Sequence, residues 1–182
     1  MRKGIAIISL LAMMVSFSGC KPILSEKIVE DINENSNFEV NLLTPAEEVP
    51  FEGFGVIPGF GQEGYYDKKY GDYDVDYEAL VACYVVYTVT SYPDIALGEK
   101  YVTEIYITDP EINIYGYSVG DNSEEFSDFL EEKGFREEEN NGHFSRCSKG
   151  KVKINYGINI ETQEIQDIRV RIDTTNLLGV VF

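Results

Sequence analysis

The chain has one histidine, three cysteines and no tryptophan, and only 15 lysines and arginines stand against 32 aspartates and glutamates. Two of these scarcities close off classes of function. His143 alone, with no Cys-x-x-Cys pair anywhere, leaves no ligand set for a zinc ion. A formal net charge of −17 repels nucleic acid and anionic lipid headgroups, so neither is an expected partner. The apolar run at residues 4–17, broken only by Ser9 and Ser16, falls short of the ~20 residues that span a bilayer.

That run nevertheless has a clear character. Arg2 and Lys3 precede it, and Phe17-Ser18-Gly19-Cys20 follows it. A positive start, a short apolar stretch and small residues before a cut make a signal peptide. The cysteine directly after Gly19 resembles the lipobox of bacterial lipoproteins, with Phe17 standing where that family usually has an aliphatic residue. The resemblance implies a signal peptide at 1–19, cleavage before Cys20, and membrane attachment through diacylglycerol on the Cys20 thiol, facing outside the cytoplasm. Acyl chains there would hold the protein firmly, at about 0.8 kcal/mol for each buried CH₂.

The remainder is long enough for one domain with a real core. It is also more acidic than the whole chain, because the leader carries two cations and no acid. With Cys20 assigned, Cys83 and Cys147 are left. An exported location permits a disulfide between them, but no spacing rule fixes the pairing, and Cys83 in its apolar surroundings also reads as a buried thiol.

Residues 20–50 read as a lipid-anchored tether, polar and acidic over 25–37 and punctuated by Pro45 and Pro50. Within it, Leu24, Ile28 and Ile32 have the spacing of one short helix. Residues 51–78 form a Gly/Tyr-rich lobe, read either as rings packing onto the following sheet or as a loop binding sugar or peptide. Strands are expected at 79–90, 101–108 and 112–118. A helix follows, with Asp121 or Asn122 as its cap, Phe126, Phe129 and Leu130 as its buried stripe, and Lys133-Gly134 as its stop. Three more strands are expected at 143–148, 151–159 and 165–173, then a tail at 174–182 that docks on the body.

Alternation sets the faces of the last pair. Val152, Ile154, Tyr156 and Ile158 share one face, as do Ile168, Val170 and Ile172. A three-residue loop at 162–164 would place Ile158 opposite Ile168 and Ile154 opposite Ile172. The other face then gathers Lys151, Lys153, Arg169 and Arg171, either as a binding face or as a solvated surface balanced by acids such as Glu137, Glu138 and Glu139.

Other motifs fail on context. Gly116-Tyr117-Ser118-Val119-Gly120 matches the nucleophile elbow of α/β-hydrolases, and His143 follows in the right chain order. That fold needs a large parallel sheet of alternating strands and helices, which the pattern here does not provide. Gly59-Phe60-Gly61-Gln62-Glu63-Gly64 matches a dinucleotide fingerprint, which needs a strand before it and a helix after it, but Pro58 precedes it and a Tyr/Asp/Gly-rich stretch follows. Asp72, Asp74, Asp76 and Glu78 alternate like the start of a calcium loop, yet Tyr77 replaces its glycine and Cys83 its bidentate glutamate.

The order strand, Val-Gly-Asp helix entry, helix ending Lys-Gly-Phe, then strand meander over 112–173 resembles the helix-plus-meander unit of β-lactamase-inhibitor-like and SmpA/OmlA-type small envelope lipoproteins, and uncharacterised Gram-positive lipoproteins. The resemblance implies binding to another envelope protein through a sheet surface, and it carries no site residues. The expectation is therefore an α+β domain with one main helix on antiparallel strands: a non-enzymatic binding or scaffold lipoprotein without a cofactor. The alternative is a small hydrolase or esterase using Ser118 and His143.

Overall fold

The computed structural model of the chain describes residues 24–49, 54–57, 63–67, 73–74, 79–80, 85–91 and 100–173. The leader, Cys20, Cys83 and the 174–182 tail lie outside the described residues.

Helix α1 (Leu24–Glu34) opens the described body. Ile28, Val29 and Ile32 line its buried face and belong to the core. Its last turn leads into a strap at 36–49 that is fastened by side-chain amides. Asn33 brackets the Leu42 backbone, its Nδ2 donating to the carbonyl at 2.9 Å and its Oδ1 accepting from the N–H at 3.1 Å. Asn37 does the same across the chain, with Glu111 O and Asn113 N. The strap thus belongs to the domain, and any tether ends before Leu24 rather than at residue 50. Polar composition suggests a spacer, but Val40, Leu42 and Val49 within it are buried, and Phe38, Leu43 and Ala46 pack half-buried against the core.

The main sheet has eight strands among the described residues. They are β1 (Phe54–Ile57), β2 (Glu63–Asp67), β5 (Val85–Ser91), β6 (Lys100–Ile107), β9 (Arg136–Asn140), β10 (Phe144–Lys149), β11 (Val152–Ile158) and β12 (Ile165–Ile172), in the order β1-β2-β5-β6-β12-β11-β10-β9. All neighbours pair antiparallel. Two small hairpins complete the strands: β3 (Tyr73–Asp74) with β4 (Ala79–Leu80), and β7 (Asn113–Ile114) with β8 (Tyr117–Ser118). The fold class is α+β, as expected.

Four details depart from the pattern in the sequence. The Gly/Tyr-rich lobe contributes β1 and β2 to the sheet itself, and the glycine fingerprint runs into strand β2 rather than into a helix. The span 112–118 is not one strand, because Tyr115 and Gly116 both take positive φ (56° and 87°) and fold it back on itself. Two successive left-handed residues suit a tight hairpin turn. Strand β9 was hidden, since Arg-Glu-Glu-Glu-Asn has no apolar alternation and lies exposed at the edge. Finally, the β11–β12 register is two residues from the expected one: Tyr156, not Ile158, faces Ile168, and Val152, not Ile154, faces Ile172. The connection is longer than 162–164, with Asn159 N donating to Glu164 O, and a bulge at Gly157/Ile158 shifts the ladder by one residue, so that the net shift is even. A shift by two keeps every side chain on its expected face.

Helix α2 (Ser123–Glu132) packs on the apolar face of this sheet. Asn122 caps it, accepting from the Glu124 and Glu125 N–H groups through its Oδ1. Its end is a Schellman closure at Gly134 (φ 84°), with Phe135 N donating to Leu130 O and Gly134 N to Glu131 O. Lys149 Nζ donates to the Lys133 carbonyl at 2.6 Å, a cation at the negative end of the helix. Phe126 and Leu130 are fully buried, and the Phe126 ring lies 5.1 Å from that of Tyr156. Tyr115 ties the layers together. Its hydroxyl donates to Asp31 of α1 at 2.8 Å, and Lys133 at the end of α2 sits 4.9 Å from its ring centroid.

Candidate binding face

With both helices on one side, the other side of β9–β12 and β6 carries the polar residues of each strand. The register arranges them in rows. One row runs Glu139, Arg146, Asn155, Arg169, Tyr106, and the next runs Arg136, Ser148, Lys153, Arg171, Glu104. Lys153, Arg169 and Arg171 thus share a face as the alternation requires, and Arg146 joins them from β10. Arg146 has no signal of its own in the sequence, because its place depends on the pairing of β10 with β11.

Acids at the margin hold several of these cations. Arg146 pairs with Glu139 at 3.2 Å, Lys153 with Asp173 at 3.3 Å, and Arg169 Nε with Glu104 at 3.7 Å. Of the acids expected to balance the face, Glu139 does so; Glu137 lies on the opposite side, where it accepts from Ser145 Oγ at 3.4 Å. Asp167 lies over Gly157 and accepts its backbone N–H; burial raises its carboxyl above the ordinary range, against the opposing pull of Arg169 and that hydrogen bond. The guanidinium of Arg169 stacks over Tyr106 at 4.9 Å, and that of Arg146 over Phe144 at 5.4 Å.

The middle of the face is different. Asn155 is 7 % exposed, and its Oδ1 has no hydrogen-bond partner. Arg146 Nε and Arg171 Nε are likewise buried without partners. Arg171 has no ion pair among the described residues. A buried polar group without a partner costs about 1–3 kcal/mol, so three on one face is an arrangement that stability alone does not favour.

The hydrolase constellation is not assembled. Gly120 N donates to Ile165 O, Ile165 pairs with Ile158, and Ile158 N donates to His143 O. These three steps put His143 roughly 14 Å across the sheet from Gly120, the end of the Gly-x-Ser-x-Gly stretch. Ser118 N is bound to Asp121 Oδ2 at 2.7 Å, His143 is exposed, and no hydrogen bond joins the two among the described residues.

Cys147 is a free thiol, 2 % exposed, on the apolar side of β10. Cys83, the other member of the possible pair, lies outside the described residues. A cavity of about 410 Å³ beneath α2 reaches Cys147, Ser127 and Glu137. Burial pushes the thiol above its usual value, and the acids Glu137 and Glu138 add to this against a hydrogen bond with Ser145. Among the described residues no cluster of His, Cys, Asp or Glu could hold a metal ion, and no helix is long and apolar enough to cross a membrane. Asp72, Asp76 and Glu78 of the calcium-like stretch lie outside the described residues.

No protein-family model matches the chain, and no curated protein is significantly similar to it. Among solved structures, it is similar to an extracellular protein containing a SCP domain from Bacillus anthracis, with a TM-score of 0.48 and 13 % identity over 75 % of this chain and 45 % of that one. A cysteine-rich secretory protein from Staphylococcus aureus gives a TM-score of 0.39 and 12 % identity over 65 % and 39 %. The chain therefore spans less than half the length of either.

Proposed function

We propose that this protein is a non-enzymatic, lipid-anchored binding component of the cell envelope that holds a partner protein against the polar face of β10–β12. The observation that carries the reading is the set of buried, unpartnered polar atoms on Arg146, Asn155 and Arg171. Groups that cost stability when left unpaired are retained where a partner completes them. The separation of Ser118 from His143 favours binding over hydrolysis. Anchoring through Cys20 rests on the order of charge, apolar run and cysteine in the first twenty residues.

The test is a pull-down from intact cells with wild type and with Arg169→Glu/Arg171→Glu. The reading expects a partner that is recovered with wild type and lost with the variant at equal protein level. The same partners from both would remove this face from consideration. Incorporation of labelled palmitate that survives Cys20→Ser would remove the anchor.

A further inference from the structure

We propose that the occupant of this face is a short acidic segment of the partner, whose carboxylates engage Arg146 and Arg171 on either side of Asn155. The proposal rests on the binding reading above and names its ligand. Four observations lead to it.

First, Arg146 and Arg171 are half-buried on this face, and each keeps an Nε–H with no acceptor. A guanidinium is a planar fork that matches a carboxylate or phosphate. Second, the cations of this face that already have partners are all held by carboxylates: Glu139, Asp173 and Glu104. The spacing of the face suits that group, and an incoming glutamate or aspartate competes with these acids like for like. Third, aromatic rings flank the cations, Phe144 beside Arg146 and Tyr106 beneath Arg169. A peptide brings apolar side chains to such rings as well as acids. Fourth, the chain as a whole carries a net charge of −17. A long phosphate polymer would meet that field well beyond the patch, whereas a short segment stays within about one Debye length, ~8 Å, of the cations.

Asn155 gives the proposal its sharpest probe. It lies laterally between Arg146 and Arg169 and next to Lys153 along β11. Asn155→Asp changes its size little and places a negative charge at the centre of the site.

The experiment is fluorescence anisotropy on the full chain in nonionic detergent. The probe is a fluorescein-labelled peptide carrying several glutamates and one phenylalanine, and the control is its glutamine counterpart. The glutamate peptide is expected to bind, more weakly as salt rises, and the glutamine peptide is not. Asn155→Asp and, separately, Arg146→Gln/Arg171→Gln are expected to lose roughly tenfold or more in affinity, the scale of charge-assisted hydrogen bonds. Circular dichroism identifies any variant that fails to fold, and the other then decides. No binding of the glutamate peptide, equal binding by the folded variants, or tighter binding of a labelled polyphosphate chain would each overturn the proposal. If the cellular partner still depends on Arg169 and Arg171 while the peptide does not bind, only the acidic-segment inference falls.

Discussion

Lys153 and Arg171 stand directly opposite each other on neighbouring strands, two cations on one face of the sheet. Like charges in that position destabilise a sheet by roughly 0.2–1 kcal/mol. Glu104, the neighbour of Arg171 on β6, is engaged by Arg169 instead. Arg171 therefore contributes little to folding, and Arg171→Gln is expected to move the urea midpoint by less than the equivalent of about 1 kcal/mol. A large loss of stability would make Arg171 a structural residue.

Asn155 leads to the converse expectation. Its Oδ1 is buried without a partner. Asn155→Val removes that polar group and adds a β-branched side chain in a strand, so the protein gains about 1 kcal/mol. Urea unfolding measures the gain. A less stable Asn155→Val protein would mean that the amide finds a partner within the fold.

Phe126 is fully buried with Tyr117 and Tyr156 each 5.1 Å from its ring. Phe126→Ala leaves a cavity between α2 and the sheet and costs about 3–5 kcal/mol. Asn122→Ala, which only frees the first N–H groups of α2, costs about 1 kcal/mol. Equal effects in thermal or urea unfolding would contradict this ranking.

Alkaline pH weakens the fold. Burial raises Tyr115 above its ordinary value of 10.0, and its hydrogen bond to Asp31 and the negative charge there raise it further. Above that value the unfolded chain loses a proton that the folded chain keeps. The folded state then binds more protons, so its stability is fully present below pH 10.0 and declines as the pH rises beyond it. Tyr106 and Tyr156 are shifted in the same direction, chiefly by burial. Urea midpoints followed from neutral to alkaline pH should fall, and fall less steeply in Tyr115→Phe. An unchanged slope in that variant would remove Tyr115 from the account.

Cys147 is expected to remain a protected thiol. Iodoacetamide should label it only after denaturation, and without any reductant, as read by mass spectrometry. A requirement for reductant would establish a disulfide.

The sequence made some of this legible for physical reasons. Helix α2 was visible because its cap, stripe and stop are all local signals, and Asn122 and Gly134 act as such residues do. The faces of β11 and β12 were visible because alternation survives any even shift, which is also why the register was not. Helix α1 was half visible: the spacing of Ile28 and Ile32 suggested a helix, but acids around them suggested a tether, and only packing decides between the two. Strand β9 was illegible because an exposed edge strand needs no apolar residues. Of the four cations expected on the binding face, Lys153, Arg169 and Arg171 stand on β11 and β12, and Lys151 lies in the turn before β11. Arg146 and the unpartnered Asn155 depend on which strand pairs with β11 on its far side.

The most direct test of the account is a photo-crosslink in living cells. A benzophenone amino acid at Ser148, which lies between Arg136 and Lys153 on the polar face, is compared with the same group at Glu124, exposed on α2. The account predicts a discrete crosslinked protein from position 148 that is absent from position 124 and is lost when Arg171→Gln is combined with the probe. No crosslink from 148, or the same products from both positions, would contradict it.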